Sequence, residues 1–506
     1  GPPAIPLSDG PNGVRKQAGA ADHLGLNPSV PATCFPTSSA TACSWDEKLG
    51  EAVGEALGEE AAAQEVAVLL GPGLNIQRSP LCGRDFEYFS EDPILAGRMA
   101  AAYVGGIQKN GISACPKHFA VNSQELRRMA SDSVLDERTL RELYLTGFEI
   151  VVKEAKPKTI MTSYNLINGT YANENAHLLQ DILRKDWGFD GAVVTDWGGS
   201  NDHALGVKNG STLEMPCPGG DSIRELMKAV QDGKISEADV DARLDEMLEL
   251  VLSTHAAVEK APRTFDAAAH HKLACRAAAE SIVLLRNEGG ILPLKPNEKL
   301  AVIGDFAETP RYQGAGSSAV NALQVDTLLD SIKADDSGTT FVGYASGFER
   351  QGAADAEKLE EAVALAKKAD TVLLCLGLDE LRESEGLDRS DMKLAENQQQ
   401  LLASVAAVNP NVVVLLSAGA PVETPWVGQC RALVYGALGG QAGAGAAADI
   451  LTGKLCPCGK LSQTWAQAHD DTPAKANFGG EGRNVEYREG LYVGYRYYQT
   501  AGVPVA

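Results

Sequence analysis

Residues 188–202, with the sequence GFDGAVVTDWGGSND, run from a short apolar segment directly into an acid. Residues 192–195 (AVVT) predict a buried strand, and Asp196 and Trp197 follow at its C-terminal end. An aspartate in this position is as often a turn or helix-capping residue as a functional one. The meaning of this pair therefore depends on which residues come after the other strands of the chain.

The same arrangement, an apolar run followed by polar residues, recurs over the first 255 residues. The runs are VAVLL at 66–70, ISAC at 112–115, TIMTS at 159–163 and STLEMP at 211–216. Helical patterns lie between them, such as WDEKLGEAVGEALGEEAAA, for which Ser44 is predicted as the N-cap. Repeated βα units predict a parallel sheet, and polar residues that cluster after each strand favour a barrel over an open sheet.

Residues 286–506 show a different strand pattern. The runs KLAVI, TVLLCLGL and NVVVLLS are continuously apolar, which is typical of a parallel sheet that helices cover on both faces. The sequence therefore predicts an α/β protein of two domains. A (β/α) barrel is expected over residues 1–255, a helical connector over 256–285, and a helix-covered parallel sheet with a C-terminal tail over 286–506.

Composition disfavours several classes of function. The net charge of −22 argues against a nucleic-acid partner, and no apolar run is long enough to cross a bilayer. The GAGSS segment at 314–318 matches neither a dinucleotide-binding pattern nor a P-loop, so we expect no nucleotide cofactor. Ten cysteines in 506 residues are too few for a disulfide scaffold, although Cys34 and Cys43 are close enough to pair in an exported chain.

No metal centre is expected either. The pair Lys117 and His118 does not have the spacing of metal ligands, and the HExxH pattern is absent. His270 and His271 are adjacent, so they would point to different faces of a helix. The sequence thus predicts a protein without a cofactor.

The polar residues after the strands suit a neutral sugar. A sugar presents a ring of hydroxyls, which bind charged donors and acceptors, and an apolar face, which packs on an aromatic ring. Each residue taken singly is explained by an ion pair or by packing, and only the recurrence after successive strands favours a shared site. The candidate sugar-binding residues are Asp9, Arg84, Lys117, His118, Arg128, Tyr164, Trp197 and Ser317.

Five segments in order resemble the motifs of glycoside hydrolase family 3, specifically of its β-glucosidases. They are LSDGPNGVR, GRDFEYFSEDP, KHFAVNSQE, VVTDWG and ESEGLDR, and the resemblance extends to VEYREGLYVGYRYY near the C-terminus. It implies a (β/α)8-type (TIM) barrel, which we expect to be incomplete at its start in this sequence, then an α/β sandwich, with an active site between them. Members usually carry a further strand and helix before the LSDGP segment, and many continue into a β-sandwich after GYRYY.

The resemblance also implies roles for two acids. Asp196 corresponds to the nucleophile and Glu385 to the general acid/base, while the candidate residues above surround the hydroxyls of the terminal sugar. Glu383 stays open as an alternative acid/base, because it lies two residues away in the same acidic run. We expect cations to keep Asp196 ionised, and we expect Glu385, with fewer cations nearby, to keep its proton longer.

The expected reaction is removal of terminal, non-reducing β-D-glucose from oligosaccharides or from aryl and alkyl glucosides. It would proceed by double displacement with retention of configuration. The resemblance implies that Asp9 stands where the family's glucosidases contact the outer hydroxyls and that an aspartate there leaves room for a hydroxymethyl arm, which favours glucose. A β-xylosidase or a bifunctional β-glucosidase/β-xylosidase of the same family is the alternative. A phosphorylase or sugar-transferring variant also stays open, whereas a non-catalytic sugar-binding protein is disfavoured because both acids are present.

The compartment and the oligomeric state stay open at this point. No signal peptide is visible, and the first residues have the character of a domain interior. We expect a soluble protein of the cytoplasm, or of the periplasm or extracellular space if a signal segment is missing from this sequence. A homodimer is one option for its assembly.

Overall fold

A computed structural model describes residues 1–19, 27–352 and 354–506. Its strands are β1 (Leu7–Asp9), β2 (Val68–Leu70), β3 (Ser113–Ala114), β4 (Asp132–Val134), β5 (Thr159–Thr162), β6 (Leu166–Ile167), β7 (Thr170–Tyr171), β8 (Ala192–Thr195), β9 (Val283–Asn287), β10 (Lys299–Ile303), β11 (Thr340–Ala345), β12 (Thr371–Gly377), β13 (Val412–Ser417), β14 (Ala432–Tyr435) and β15 (Asn484–Glu486).

The α-helices are α1 (Ser38–Ala42), α2 (Glu47–Ala63), α3 (Pro93–Gln108), α4 (Glu137–Thr139), α5 (Thr146–Ile150), α6 (His203–Asn209), α7 (Asp221–Gln231), α8 (Glu237–Lys260), α9 (Ala267–Ser281), α10 (Leu328–Lys333), α11 (Ala356–Ala366), α12 (Glu396–Ala406), α13 (Gly443–Leu451) and α14 (Tyr495–Ala501). The π-helical segments are Leu140–Tyr144, Val151–Ala155 and His177–Asp186, and the 3-10 turns are Asp85–Glu87, Ala172–Glu174, Glu288–Gly290, Asp305–Ala307, Val427–Gln429 and His469–Asp471.

The N-terminal region contains a curved parallel sheet. Strands β1, β2 and β3 pair in parallel, as do β5 and β8, and a hydrogen bond of 3.0 Å from Met161 N–H to the Pro116 carbonyl joins β5 to the chain after β3. Leu213 continues the series with a parallel bridge to Val194. One apolar cluster collects Leu7 of β1 together with Leu213 and side chains from the strands between them. Because β1 and the segment at Leu213, which are the first and last elements of this series, share the cluster, the sheet is rolled into a barrel.

Helices cover the outer face of this barrel. Alternate strand residues such as Leu69 and Ile160 point outward into a second cluster, which contains the apolar faces of α2 and α3. Helix α2 begins later than the Ser44 cap would require. Its N-cap is Asp46, whose carboxylate accepts the N–H groups of Lys48 and Leu49, so the prediction for Ser44 is wrong. The Ser44 hydroxyl instead donates to the Thr41 carbonyl.

The C-terminal region contains a six-stranded sheet in the order β11-β10-β12-β13-β14-β9. All neighbours pair in parallel except β14 and β9. Every residue of β12 is buried, because helices pack on both faces of the sheet. The chain leaves β10 in one direction, to β11, and then returns to the other side, to β12. The loops after β10 and β12 therefore diverge and open a crevice at the carboxyl edge of the sheet.

These two sheets confirm the predicted fold class, a barrel followed by an α/β sandwich. Helix α8 runs through residue 255, and β9 of the second sheet begins at Val283. The division at residues 255 and 285 stays a prediction.

The C-terminal tail returns to the N-terminal region. Strand β15 pairs in parallel with β4, which in turn pairs with β6. The Arg78 guanidinium donates to the Glu489 carboxylate (Nη2 to Oε2, 3.0 Å) and lies 3.7 Å from the centre of the Tyr487 ring. Both charged side chains of this pair are buried. The tail is thus part of the packing of the first region.

The cysteines are free thiols, including Cys34 and Cys43, which are both buried. In the ranges that the structure describes, no helix is long and apolar enough to span a bilayer. Within the same ranges, no group of three or more His, Cys, Asp or Glu side chains is arranged to hold a metal ion. His270 contacts Glu59 and Glu60, whereas His271 contacts Gln441 and Asp326.

Candidate active site

The carboxyl end of the barrel brings the predicted residues together. Asp9 ends β1 and Asp196 directly follows β8. Lys117 follows β3, Tyr164 follows β5, and Arg84 lies in the long segment after β2. This is the end of a βα barrel at which the loops build binding sites.

Asp196 is buried, and the backbone of the residue that follows it holds its carboxylate. Its Oδ1 accepts the N–H of Trp197 at 2.7 Å. Its Oδ2 is buried, accepts no hydrogen bond from the described residues, and lies 3.5 Å from His118 Nε2. Burial raises the pKa of Asp196, while Arg84, the Trp197 N–H, Lys117 and Arg128 act in the opposite direction. One carboxylate oxygen is therefore fixed and the other is left for a further partner.

His118 is a buried, neutral neighbour of this acid. Its Nδ1 is 3.1 Å from the Tyr88 hydroxyl, so the ring is oriented from behind. Burial, together with Arg84, Lys117 and Arg128, holds the pKa of His118 well below its usual range. The peptide bond between Lys117 and His118 is cis. A neutral imidazole can exchange hydrogen bonds with sugar hydroxyls without adding charge.

A buried ion-pair network lies beside Asp196. Arg84 donates to Glu87 through Nε at 2.8 Å, and its Nη2 is 2.7 Å from the same oxygen. Lys117 Nζ lies 3.3 Å from Glu87 and 3.3 Å from Asp9. Burial lowers the pKa of Lys117, but the charges of Glu87 and Asp9 outweigh it and the net shift is upward. Glu87 thus fixes both cations, a role that the sequence did not reveal.

Glu385 reaches this network from the C-terminal region. It lies in the loop after β12, at the tip of a turn in which Ser384 and Leu387 form a bridge and Gly386 has a φ of +86°. Its carboxylate Oε1 lies 2.9 Å from Arg128 Nη1 and 3.5 Å from Arg84 Nη1. Two cations from the barrel therefore meet one acid from the other region.

Ser317, from the loop after β10, also contacts Glu385. Its backbone N–H donates to Oε2 at 2.6 Å, and its carbonyl accepts from Arg15 Nη1 at 2.9 Å. A Cβ at Gly316 would lie 2.4 Å from the Cβ of Glu385, so the GAGSS segment packs against this side chain. The loops after β10 and β12 thus carry this corner of the site, at the reversal of strand order where ligands bind in open α/β sheets.

The electrostatic expectation for the two acids is wrong. Although burial raises the pKa of Glu385, Arg84, Arg128 and the Ser317 N–H outweigh it and hold that pKa well below the usual range. The pKa of Asp196, in contrast, is raised. Burial dominates at Asp196, whereas Arg84 and Arg128 make ion pairs with Glu385, where their charges outweigh burial.

Glu383 faces away from this network. It is fully buried, its Oε2 accepts the Gly419 N–H at 3.0 Å, and its carbonyl accepts from Arg311 at 2.8 Å. Burial raises its pKa, against the charges of Arg311 and Arg389. Its carboxylate thus lies between elements of the C-terminal region and Asp85 of the barrel, whose pKa it helps to raise.

The aromatic residues flank the acids. The Tyr164 hydroxyl donates to the Trp197 carbonyl at 3.0 Å, and the Arg128 guanidinium lies 4.9 Å from the centre of the Tyr164 ring. Trp197 is 39% exposed, the largest exposure among the aromatic residues of the site. It is accessible as a platform for a sugar ring at the mouth of the site.

Sequence reasoning also missed Glu125. Its Oε2 accepts from Arg128 Nη1 at 2.8 Å and from the Gly386 N–H at 2.8 Å, and the side chain is buried. One signal was present for both missed acids. Glu87 lies three residues after Arg84 and Glu125 three residues before Arg128, a spacing that pairs charges within one turn.

Two family profiles match the chain. Residues 21–250 match the glycosyl hydrolase family 3 N-terminal domain, and residues 282–495 match the glycosyl hydrolase family 3 C-terminal domain. Together they cover most of the sequence, in the order that the motifs predicted.

Individual proteins resemble the chain over its full length. It is 46% identical over 506 residues to thermostable beta-glucosidase B of Acetivibrio thermocellus, a match that covers 99% of this chain and 67% of that protein. It is 44% identical over 522 residues to an exo-alpha-(1->6)-L-arabinopyranosidase of Bifidobacterium breve, covering 100% and 68%. The structure of beta-glucosidase 3B from Thermotoga neapolitana in complex with alpha-D-glucose superimposes with a TM-score of 0.91 at 35% identity, covering 100% of this chain and 75% of that one.

Proposed function

Because the chain belongs to glycosyl hydrolase family 3, we propose that it is a retaining, exo-acting β-glucosidase that removes terminal, non-reducing β-D-glucose from small neutral glycosides. One observation carries the proposal. Asp196 from the barrel and Glu385 from the other region share Arg84 and Arg128 as charged neighbours. A pair of carboxyl groups that converge on one pocket is what glycoside hydrolysis requires. The relatives that carry the name beta-glucosidase support glucose as the sugar.

We assign Asp196 as the nucleophile. Its Oδ1 is engaged by the Trp197 N–H, so Oδ2 is the oxygen that bonds to the anomeric carbon. As that bond forms, the bond between the anomeric carbon and the leaving oxygen breaks, and Glu385 gives its proton to the leaving oxygen. Glu385 then takes a proton from water, the water oxygen bonds to the anomeric carbon, and the ester to Asp196 breaks. Two inversions give net retention.

The surroundings of Glu385 oppose its role as the proton donor. Glu385 must carry a proton in the first step, yet its pKa is lowered, while that of Asp196 is raised. The site without substrate therefore disfavours the protonated form of Glu385 that the first step requires. Sugar hydroxyls bound to Arg84 and Arg128 compete with Glu385 for the same N–H donors. This competition weakens the ion pairs that lower the pKa of Glu385 and favours the productive form.

The remaining residues bind and orient the sugar in this proposal. Asp9 and Lys117 form an ion pair at the barrel mouth and offer an acceptor and donors to vicinal hydroxyls. His118 contributes a neutral donor or acceptor near the nucleophile, and Trp197 packs on the ring. Ser317 contributes through its backbone, by holding Glu385.

A second candidate activity is supported by one relative. The exo-alpha-(1->6)-L-arabinopyranosidase of Bifidobacterium breve is almost as similar as the beta-glucosidase of Acetivibrio thermocellus, at 44% against 46% identity. A pentopyranoside has no hydroxymethyl arm, as in the β-xyloside alternative. The residue that contacts that arm therefore separates glucose from the two pentosides, but it does not separate the pentosides from each other.

The proposal is tested by measuring kcat/KM on the p-nitrophenyl β-D-glucoside, β-D-xyloside and α-L-arabinopyranoside. We expect the glucoside to be preferred by about 10-fold or more, the discrimination that one such group provides. Proton NMR of the first product should show the β-anomer. If kcat/KM is higher on either pentoside, that pentose rather than glucose is the sugar that the protein removes. Release of glucose 1-phosphate on addition of phosphate identifies a phosphorylase instead.

A further inference from the structure

The segment that carries Glu385 is not held by the sheet of its own region. Residues 383–389, which we call the docking segment, contain no helix or strand beyond the bridge between Ser384 and Leu387. A loop of this kind does not by itself fix a side chain to the accuracy that proton transfer requires. Its position must come from contacts to other parts of the molecule.

The Asp388 carboxylate supplies the most concentrated of these contacts. Its Oδ1 accepts the backbone N–H groups of Gly83 (3.1 Å) and Glu125 (3.0 Å), and its Oδ2 accepts those of Glu125 (3.0 Å) and Leu126 (2.8 Å). All three donors belong to the barrel region, whereas Asp388 belongs to the other one. A carboxylate that accepts several N–H groups forms stronger hydrogen bonds than a neutral acceptor does.

The contact is reciprocal. The backbone N–H of Glu125 donates to Asp388, and the carboxylate of Glu125 accepts the N–H of Gly386, next to Glu385. Arg389, at the other end of the segment, donates its N–H to the Leu81 carbonyl at 2.7 Å. The docking segment is therefore bonded to the barrel on both sides of Asp388.

The same bonds also connect Glu385 to its two arginines. Gly83 directly precedes Arg84 in the chain, and the Glu125 carboxylate holds Arg128 at 2.8 Å. Asp388 thus binds the backbone beside one arginine and the backbone of the residue that orients the other. Loss of the Asp388 carboxylate would therefore allow Glu385, Arg84 and Arg128 to move relative to one another.

From this arrangement we propose that Asp388 is a positioning residue that fixes Glu385 over the barrel. The inference rests on the proposed function, because it concerns how the acid/base is placed. Among the described residues, the hydrogen bonds that the Asp388 carboxylate accepts come from backbone N–H groups of the barrel region and not from Asp196 or Glu385. Asp388 acts by holding the turn that presents Glu385.

The kinetic test compares Asp388→Ala and Asp388→Asn with Asp391→Ala. Asp391 lies in the same loop, and its carboxylate accepts hydrogen bonds from Lys393 and Ser390 of that loop, so it is a matched control. We expect Asp388→Ala to lower kcat on phenyl β-glucoside about 100-fold, the effect of a misplaced catalytic group. Asp391→Ala should stay within about 2-fold of the unmodified protein, since it removes no contact to the barrel.

The leaving group separates positioning from general damage. Departure of 2,4-dinitrophenolate needs no proton, whereas departure of phenolate does. Asp388→Ala should therefore lose much less activity on the dinitrophenyl glucoside than on the phenyl glucoside, and Asp388→Asn should show the same order. Equal losses on both substrates overturn the proposal, because a merely structural role would lower both alike.

Hydrogen exchange tests the contact without activity. In either Asp388 variant, the amides of Gly83, Glu125, Leu126 and Gly386 should exchange faster than in Asp391→Ala. Unchanged exchange overturns the proposal. If the protein cleaves no glucoside but these amides lose protection, the proposed substrate is wrong, while the contact between Asp388 and the barrel is supported. The leaving-group comparison is then made on the sugar that is cleaved.

Discussion

The two acids of the site are held in opposite ways. Asp196 follows β8, whose four residues are all buried in the barrel, and its own neighbour Trp197 fixes one of its oxygens. Glu385 lies on a turn without a helix or strand, and its carboxylate is fixed by Arg84, Arg128 and Ser317 from three other segments. The first acid is placed by local structure, and the second is placed by contact between the regions.

Because of this difference, the position of Glu385 depends on the contact between the two regions, whereas the position of Asp196 does not. A change that disturbs the contact between the regions displaces Glu385 while Asp196 stays at the end of its strand. Formation of the glycosyl ester then continues for substrates that need no acid, but proton transfer fails. The site is thus complete only when both regions are docked.

Replacement of the locally held acid should have the largest effect. Asp196→Asn removes the nucleophile and should lower kcat on p-nitrophenyl glucoside by on the order of 10⁴-fold or more. The amide keeps an acceptor for the Trp197 N–H, so circular dichroism and the melting temperature should change little. Asp190→Asn, on an exposed residue, is the control. Retention of most of the activity would show that the assignment is wrong.

Replacement of the other acid should cost less and be rescued. Glu385→Ala should lower kcat about 10²- to 10⁴-fold, the contribution of a general acid. Azide or formate should restore turnover of an activated aryl glucoside, because a small anion can fill the space of the lost carboxylate. In Glu383→Ala we expect a lower melting temperature and no rescue, since that acid is buried against Gly419. Rescue of Glu383→Ala, and not of Glu385→Ala, would exchange the two roles.

A methyl group at the contact between the regions tests whether docking places Glu385. A Cβ at Gly83 would lie 1.7 Å from the Leu387 carbonyl oxygen and 2.3 Å from that of Ser384. Gly83→Ala must therefore push the turn outward, and kcat on phenyl glucoside should fall about 10- to 100-fold. A Cβ at Gly105, inside helix α3, would meet no atom within 4 Å. Gly105→Ala should keep full activity. An equal loss of activity in both variants would contradict the view that contact between the regions places Glu385.

The smallest effect is expected on the pH profile. Arg128 lowers the pKa of both Glu385 and Asp196, so Arg128→Met should raise both values. Both limbs of the plot of kcat/KM against pH should then move to higher pH, with a maximum reduced about 10-fold by the lost sugar contact. Arg127→Met is the matched control, because the guanidinium of Arg127 donates to the Gly479 and Gly480 carbonyls instead. A profile that does not move would show that Arg128 does not set these ionisations.

The locally determined part of the molecule could be predicted from the sequence. The AVVT run predicted β8, and Asp196 follows it as expected, because a buried strand and the residue after it are encoded by adjacent letters. The Val- and Leu-rich runs predicted β12 and β13 for the same reason. The cap of α2 was misplaced by two residues because both Ser44 and Asp46 are favourable N-caps, and only geometry decides between them.

The parts that depend on distant contacts could not be predicted. Glu385 was expected to have few cations nearby, but Arg128, 257 residues earlier in the chain, donates to it at 2.9 Å. Glu87 and Glu125 resemble ordinary surface charges in the sequence, and only the fold shows that both are buried beside arginines. No local sequence pattern shows which charges of the barrel and of the C-terminal region will come into contact. The pKa of such a residue therefore cannot be predicted from its neighbours in sequence.

The return of the C-terminal tail has a consequence for synthesis on the ribosome. Arg78 and Glu489 are separated by 411 residues, and β4 acquires β15 as a neighbour only when the tail arrives. A nascent chain that has finished the barrel strands therefore still exposes one edge of β4 and an uncompensated guanidinium. Removal of the segment that contains β15 and Glu489 would leave that edge open permanently and make the product prone to aggregate.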